Sequence, residues 1–334
     1  SIVEPQLNLL RLQARVGIAT GDYQTAEKHL RTAIEKAEQL LPSLTVEQVR
    51  VRDWSASLRI ELGLVFKQSG KIQQEREEYL AAERHYIQLA QAIPDALIFK
   101  ELLALARNDI AQVDLELDLL PEGQLAVDSA AVIFSQLVDT NAKATRYQEE
   151  LAAAEELQAR YLVEQNHSVD ADPKMQAVLN RFDRLAQEVP ESSDYIVRRA
   201  LAQVLHAQIL SQKKEIAAAE TAFRSAIQGL RELTEAVPQS LLANQSLAQA
   251  LTEYAAWLDD QDRKDDSSQQ FAAATQAYNS GLMISETPEL CHAYARAIAE
   301  RTTVASAELP PAIELAKSAL ESAPSNPNYF WTYA

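Results

Sequence analysis

Ala200 to Pro238, ALAQVLHAQILSQKKEIAAAETAFRSAIQGLRELTEAVP, reads as two amphipathic helices and a stop. Leu201, Val204, Leu205, Ala207 and Ile209 make a first apolar face that runs into a polar turn at Ser211 to Lys214. Ile216, Ala219, Phe223, Ala226, Ile227, Leu230 and Leu233 make a second. Their i, i+3, i+4, i+7 spacing places them on one side of a helix. Pro238 ends it, since proline lacks the backbone donor and disfavours helical geometry in the residue before it.

The same hairpin recurs along the chain. Pro42, Pro94, Pro190, Pro238, Pro288 and Pro324 each follow a long amphipathic segment, with separations of 52, 96, 48, 50 and 36. The interval of 96 is a double one, and its missing stop falls near Asn141 and Ala142, where VDTNAKA breaks the apolar period without a proline. A second ruler is independent of the first. Ala14, Gly63, Ala111, Ala159, Ala207 and Ala256 lie 49, 48, 48, 48 and 49 residues apart, each in the middle of the first helix of its hairpin. Small residues there let helices approach closely, and a period of about 48 residues marks a helical repeat array.

Composition agrees. Alanine supplies 55 of 334 residues and glycine 7, a balance that favours helices throughout, and strands are not expected. A net charge of −17 without a concentrated basic patch argues against nucleic acid as a partner. No apolar run approaches the ~20 residues that span a bilayer, and Ser1 does not open a signal peptide, so no membrane partner is expected in this segment and a cytoplasmic location is. Cys291 is the single cysteine, which excludes an intrachain disulfide and reads as a buried thiol. The first residue is not Met and the last residues start a new helix, the expectation for a piece of a longer protein.

In chain order the expected hairpins are 5–42, 46–94, 95–142, 143–190, 192–238, 240–287 and 288–324, with a further helix beginning at 327–334. Expected turns lie at Thr20–Gly21–Asp22, Gln68–Ser69–Gly70, Leu120–Gly123, Gln165–Pro173, Ser211–Lys214, Asp259–Asp266 and Ser306–Pro311. In the fourth hairpin Asp172 is expected to cap the second helix with Pro173 at its first position. Trp54, Tyr79, Phe99, Phe134, Phe182, Phe223, Trp257 and Phe271, about one per helix, read as core packing.

Gly21, Asp22, Tyr23, Ala26, Leu30 and Ala33 resemble the tetratricopeptide repeat, as do Leu62, Gly63, Phe66 and Gly70, Ala219, Phe223 and Ala226, and Ala312, Ala319, Leu320 and Pro324. That repeat is 34 residues long, so each helix here has gained about one heptad and should reach about 20 residues and ~30 Å. The fold expected is all-α, a right-handed α-solenoid of about seven antiparallel tetratricopeptide-like hairpins with long helices. Val51–Lys71 and Ala323–Trp331 also resemble repeat regions that follow the kinase domain in some bacterial serine/threonine kinases. No glycine-rich loop, HRD or DFG is present.

A search for chemistry returns little. His29, His85, His167, His206 and His292 sit in different hairpins without ligand spacing, and the aspartates at 170 and 172 and from 259 to 266 lack the glycine and glutamate of an EF-hand loop. No catalytic residue, metal site or cofactor is expected. The resemblance implies a peptide groove on the concave side, lined three before and one after each small residue. Those positions are Arg11 and Arg15, Ile60 and Leu64, Asn108 and Gln112, Glu156 and Arg160, and Val204 and Gln208. The function expected is a non-enzymatic scaffold binding a protein or peptide in that groove. The alternative is the regulatory or substrate-recruiting arm of a bacterial kinase whose catalytic domain lies outside this chain. Oligomeric state is not readable from the sequence.

Overall fold

The computed structural model describes residues 3–41, 47–141, 143–301 and 309–322. Among them there are fourteen helices and no strand. The helices are α1 (Val3–Ala19), α2 (Tyr23–Leu40), α3 (Gln48–Gln68), α4 (Ile72–Ala92), α5 (Leu97–Glu116), α6 (Leu120–Thr140) and α7 (Thr145–Glu164). There follow α8 (Ser168–Glu188), α9 (Ser193–Gln212), α10 (Ile216–Ala236), α11 (Leu241–Asp260), α12 (Lys264–Ile284), α13 (Pro288–Ala299) and α14 (Leu309–Ser322). Every helix from α3 to α12 has 20 or 21 residues, the length expected of a tetratricopeptide helix extended by two turns. Odd-numbered helices open the hairpins and even-numbered ones close them.

The first helices of the first six hairpins, α1 to α11, end by one device. Gly21, Gly70, Asp118, Asn166, Lys214 and Asp262 adopt positive φ of 58–75°. At each, the following residue donates its N–H five residues back, as from Asp22 to Gly17 (2.8 Å), Leu119 to Asp114 (2.8 Å) and Glu215 to Leu210 (2.9 Å). This is the Schellman ending, which satisfies the last carbonyls of a helix. Glycine carries the left-handed conformation freely at Gly21 and Gly70, whereas the four later residues each bear a cost of roughly 1–2 kcal/mol. The last five of these positions are each 48 residues apart, so the period is a geometric one.

The loops back to the next hairpin repeat too. Ala96, Ser192 and Ser240 donate to Ile93, Val189 and Val237 at 3.0 Å, with Pro94, Pro190 and Pro238 second in the turn, where their fixed φ belongs. Ala144 likewise donates to Asn141 at 3.0 Å, at the stop that has no proline.

The chain divides into two compact units, residues 1–157 and 158–334. In the first, consecutive helices from α1 to α6 pack in turn around Leu30, Leu62 and Phe66, then Tyr86, Leu89 and Leu103, then Tyr79, Ile110 and Val113. In the second, consecutive helices from α8 to α14 pack in turn and α9 also touches α11. There a single apolar cluster runs from Val197 to Ala312, with Phe223 stacked on Tyr254 (5.2 Å) and close to Trp257 (5.6 Å), and Tyr278 stacked on Tyr294 (4.7 Å). Of the expected core aromatics six are buried, and Trp54 and Phe99 are half-buried. Cys291 is buried in α13, and burial pushes its thiol up.

Several expectations need correction. LPEG is not a break: α6 begins at Leu120 and takes Pro121 into its first turn, where the missing donor costs nothing. The turn is Leu117–Leu119 instead. Likewise α8 begins at Ser168, so Pro173 lies inside the helix and Asp172 is not its cap. The Schellman turn at Asn166 starts that helix early. Asp172 instead accepts from His206 Nε2 (2.7 Å) and from Lys213 Nζ. The sixth turn is narrower than expected, with Asp265 and Asp266 inside the first turn of α12, favourably placed for the helix dipole. Ala256 is exposed, and the buried small residue of α11 is Ala255, 48 after Ala207. Pro42, Ala142, the Ser306 end of the seventh turn, Pro324 and the further helix from 327 to 334 lie outside the described residues.

Candidate peptide-binding face

The buried small residues Gly63, Ala111, Ala159, Ala207 and Ala255 set the register of the first helices. Close approach is real at Gly63, where an added Cβ would stand 2.3 Å from Tyr79 Cε1. Two residues before each lie Glu61, Asp109, Leu157, Leu205 and Glu253, so the same repeat position carries a carboxyl group three times. The expected groove positions, three before and one after, missed all three. Their 48-residue recurrence is visible in the sequence and could have found them.

In the first unit, Arg11 and Arg15 of α1 both turn onto α3. Arg11 Nε and Arg15 Nη2 each donate to Glu61 Oε1 at 2.8 Å. Glu61 is 14% exposed, and its Oε2 is buried with no hydrogen-bond partner. Asp53 Oδ1, further along α3, and Asn108 Oδ1 on α5 are also buried acceptors without a donor. Burial pushes the Asp53 carboxyl up and Arg11 pulls it back. Two of the four charged residues expected to greet a peptide, Arg11 and Arg15, are thus engaged within the fold.

Asp109 makes no hydrogen bond or ion pair among the described residues. Burial pushes its carboxyl up to about 7, with Lys67 pulling down and Glu150 pushing up. Beside it Ile60 packs on Tyr79, Ile110 and Val113, while Leu64 is 47% exposed. Gln112 and Glu156 are half-buried. Glu75, on the second helix α4, is 3% exposed and hydrogen-bonded with Tyr79. Burial raises it to about 7, against Lys67 and with help from Glu116 and Asp109.

In the second unit, Gln208 Nε2 donates to Glu253 Oε2 at 3.1 Å. Burial raises the Glu253 carboxyl, Arg296 lowers it, Glu300 raises it, and the Gln208 bond and Arg160 lower it further. Arg160 is exposed, and Val204, 5% exposed, belongs to the core and not to a groove wall. Beside Glu253 a cavity of 170 Å³ is floored by Phe271, over whose ring the Arg301 guanidinium lies 4.0 Å from the centroid. A guanidinium on an aromatic face is a favourable contact.

A rule joins the two units. Arg15 reaches Glu61, and Gln208 reaches Glu253, each from the position after a small residue to the position two before the next one. The position that corresponds for Asp109 is Leu64, which has no donor to offer.

No protein-family model matches the chain, and no curated protein sequence is significantly similar to it. Solved structures are similar. The apo form of RapI is 11% identical, covering 96% of this chain and 98% of its own, with a TM-score of 0.55. BtubC from P. vanneervenii is 14% identical, covering 70% and 93%, with a TM-score of 0.51. A tetratricopeptide repeat protein from Parabacteroides merdae is 14% identical, covering 98% of each chain, with a TM-score of 0.44. The fold is a tetratricopeptide-like helical repeat. At these identities the likeness is one of fold alone. Among the described residues no helix is long and apolar enough to cross a membrane, and no cluster of His, Cys, Asp or Glu is placed to hold a metal ion.

Proposed function

We propose that this chain is a non-catalytic interaction protein whose first-helix face in the first unit takes an extended peptide segment bearing a basic side chain. One observation carries the reading: Asp109 holds a carboxyl group on that face with no donor, one residue after the free acceptor Asn108 Oδ1, while the preceding first helix exposes Leu64. A buried acceptor left unpaired costs free energy that an incoming N–H recovers, and a lysine or arginine recovers most. Apolar surface beside acceptors also suits a peptide, whose backbone needs hydrogen bonds and whose side chains need pockets.

Two carboxyl groups near 7 invite an acid–base reading, and the geometry favours binding over it. Glu75 is enclosed in the core against Tyr79, so only Asp109 is placed to meet a ligand.

Fluorescent peptides of equal length, one lysine-containing and one with the lysine replaced by glutamate, test the proposal on the full chain. The basic peptide should bind and Asp109→Asn should weaken it about tenfold, the worth of one charge-assisted hydrogen bond. Because only ionised Asp109 attracts a cation, affinity should rise from pH 6 to pH 8. Unchanged affinity in Asp109→Asn, with helicity intact, places the site elsewhere. Arg11→Ala with Arg15→Ala is a poorer probe, since it strands the buried Glu61 charge.

A further inference from the structure

On another face of the second unit, α10, α11 and α12 enclose a pocket of 340 Å³. Its floor is apolar, from Ile227, Leu258 and Tyr254, all buried. Arg224, Arg231 and Arg263 line it. In a chain of net charge −17 such a gathering of guanidinium groups needs a reason.

The repeat does not supply one. The residues 48 positions earlier are Gln176, Asp183 and Glu215, so packing of the hairpins makes no demand for arginine at these places. Two of the three are held in position by a carboxylate. Glu220 Oε1 accepts from Arg224 Nη2 (2.7 Å) and from the Tyr254 hydroxyl (3.0 Å), and its Oε2 pairs with Arg263 Nη1 (3.0 Å). Asp266, a carboxylate that also lines the pocket, pairs with Arg263 (2.7 Å). A guanidinium carries five N–H donors, so both arginines keep donors to spare. Arg231 makes no ion pair among the described residues.

We propose that this pocket binds a phosphoryl group, its oxygens shared among the three guanidinium groups and the body of the ligand resting on the apolar floor. Planar forks recognise phosphate bidentately, and three of them match three terminal oxygens better than the two of a carboxylate. The volume falls in the range of small-ligand pockets, about 300–1,000 Å³. Long-range repulsion from an acidic chain disfavours a nucleic acid far more than a compact anion. The phosphoryl group belongs either to a small molecule or to a phosphorylated side chain.

Titration calorimetry on the full chain at low ionic strength decides it. The probes are inorganic phosphate, a phosphoserine peptide and its unphosphorylated form, with acetate at matched ionic strength as the carboxylate control. Saturable binding of phosphate or of the phosphopeptide, stronger than of acetate, is expected. Arg231→Ala should weaken it about tenfold and Arg231→Lys less, because lysine keeps the charge but not the fork. Lys36→Ala, an equal loss of charge on α2 in the other unit, should leave it unchanged. Binding of inorganic phosphate alone assigns a small-molecule ligand, and binding of the phosphopeptide as well assigns a phosphoprotein. Absence of saturable binding to either, or binding undiminished in Arg231→Ala, overturns the proposal.

Discussion

Asp109 and Glu253 occupy one and the same position of the repeat, one in each unit, and end in different states. Both are raised by burial. Glu253 receives the Gln208 amide, whereas the residue that corresponds to Gln208 for Asp109 is Leu64. A single side chain 45 residues upstream thus separates a satisfied carboxylate from an available one. The contrast extends to the interiors. The first unit encloses Glu75, Asp53 and half of Glu61 among its apolar residues, while the second stacks Phe223, Tyr254 and Trp257. Unpaired carboxyl oxygens and aromatic stacking are therefore distributed unequally over repeats that share one backbone plan.

The most severe way to break the comparison is Phe223→Ala. Its ring is fully buried, and truncation should cost about 3–5 kcal/mol in urea unfolding, confined to the second unit by hydrogen exchange. A cost below about 1 kcal/mol would mean that the aromatic stack does not carry that unit.

Next comes pH. A carboxyl group raised in the folded state binds more protons than in the unfolded state between its two pKa values, so stability falls as pH rises through that window. Glu75 and Asp109, both near 7 when folded, make the first unit weaken between about pH 4.5 and 7.5. Glu75 alone accounts for a loss on the order of 3 kcal/mol, and Glu75→Gln should abolish its share. Asp172 and Glu220 in the second unit behave oppositely. Burial works against them, but their hydrogen bonds from Lys213 and His206, and from Arg263 and Tyr254, hold both below the ordinary range. Their contribution is present above about pH 4 and is lost as pH falls through the depressed values. Hydrogen exchange at pH 5.5 and pH 8, corrected for intrinsic rates, should show protection falling more in the first unit, with two carboxyl groups near 7, than in the second, where Glu253 is raised but Asp172 and Glu220 are lowered.

The smallest effect is the sharpest. Leu64→Gln places an amide where Gln208 stands in its own repeat. It should pull the Asp109 titration, followed by carboxyl carbon NMR, well below 7, and add about 1 kcal/mol at pH 8. Gln208→Leu should push Glu253 up. A titration of Asp109 unmoved by Leu64→Gln would show that the two positions are not equivalent.

Much of the architecture was legible beforehand because it is written in short-range chemistry. The apolar spacing of α10, the prolines after α4, α8 and α10, and Gly21 and Gly70 each act within about five residues. The turns at Asp118, Asn166 and Asp262 differ in extent from the sequence expectation, since these residues only adopt the left-handed conformation because the hairpin requires it. Pro121 reads as a break and Pro173 as the first helical position for the same reason: a proline near a helix start is tolerated once the neighbouring turn fixes where that start is.

The candidate face divides along that line. Composition, period and hairpin geometry follow from the sequence, and so does the recurrence of Glu61, Asp109 and Glu253. Which of them is free does not. Arg15 meets Glu61 and Gln208 meets Glu253 only because neighbouring first helices are set side by side in a particular register, and Val204 is lost to the core through the same packing. Burial and partnership are properties of groups brought together across some 45 residues, and the energies that decide them, desolvation and a hydrogen bond made or withheld, exist only once the helices have docked.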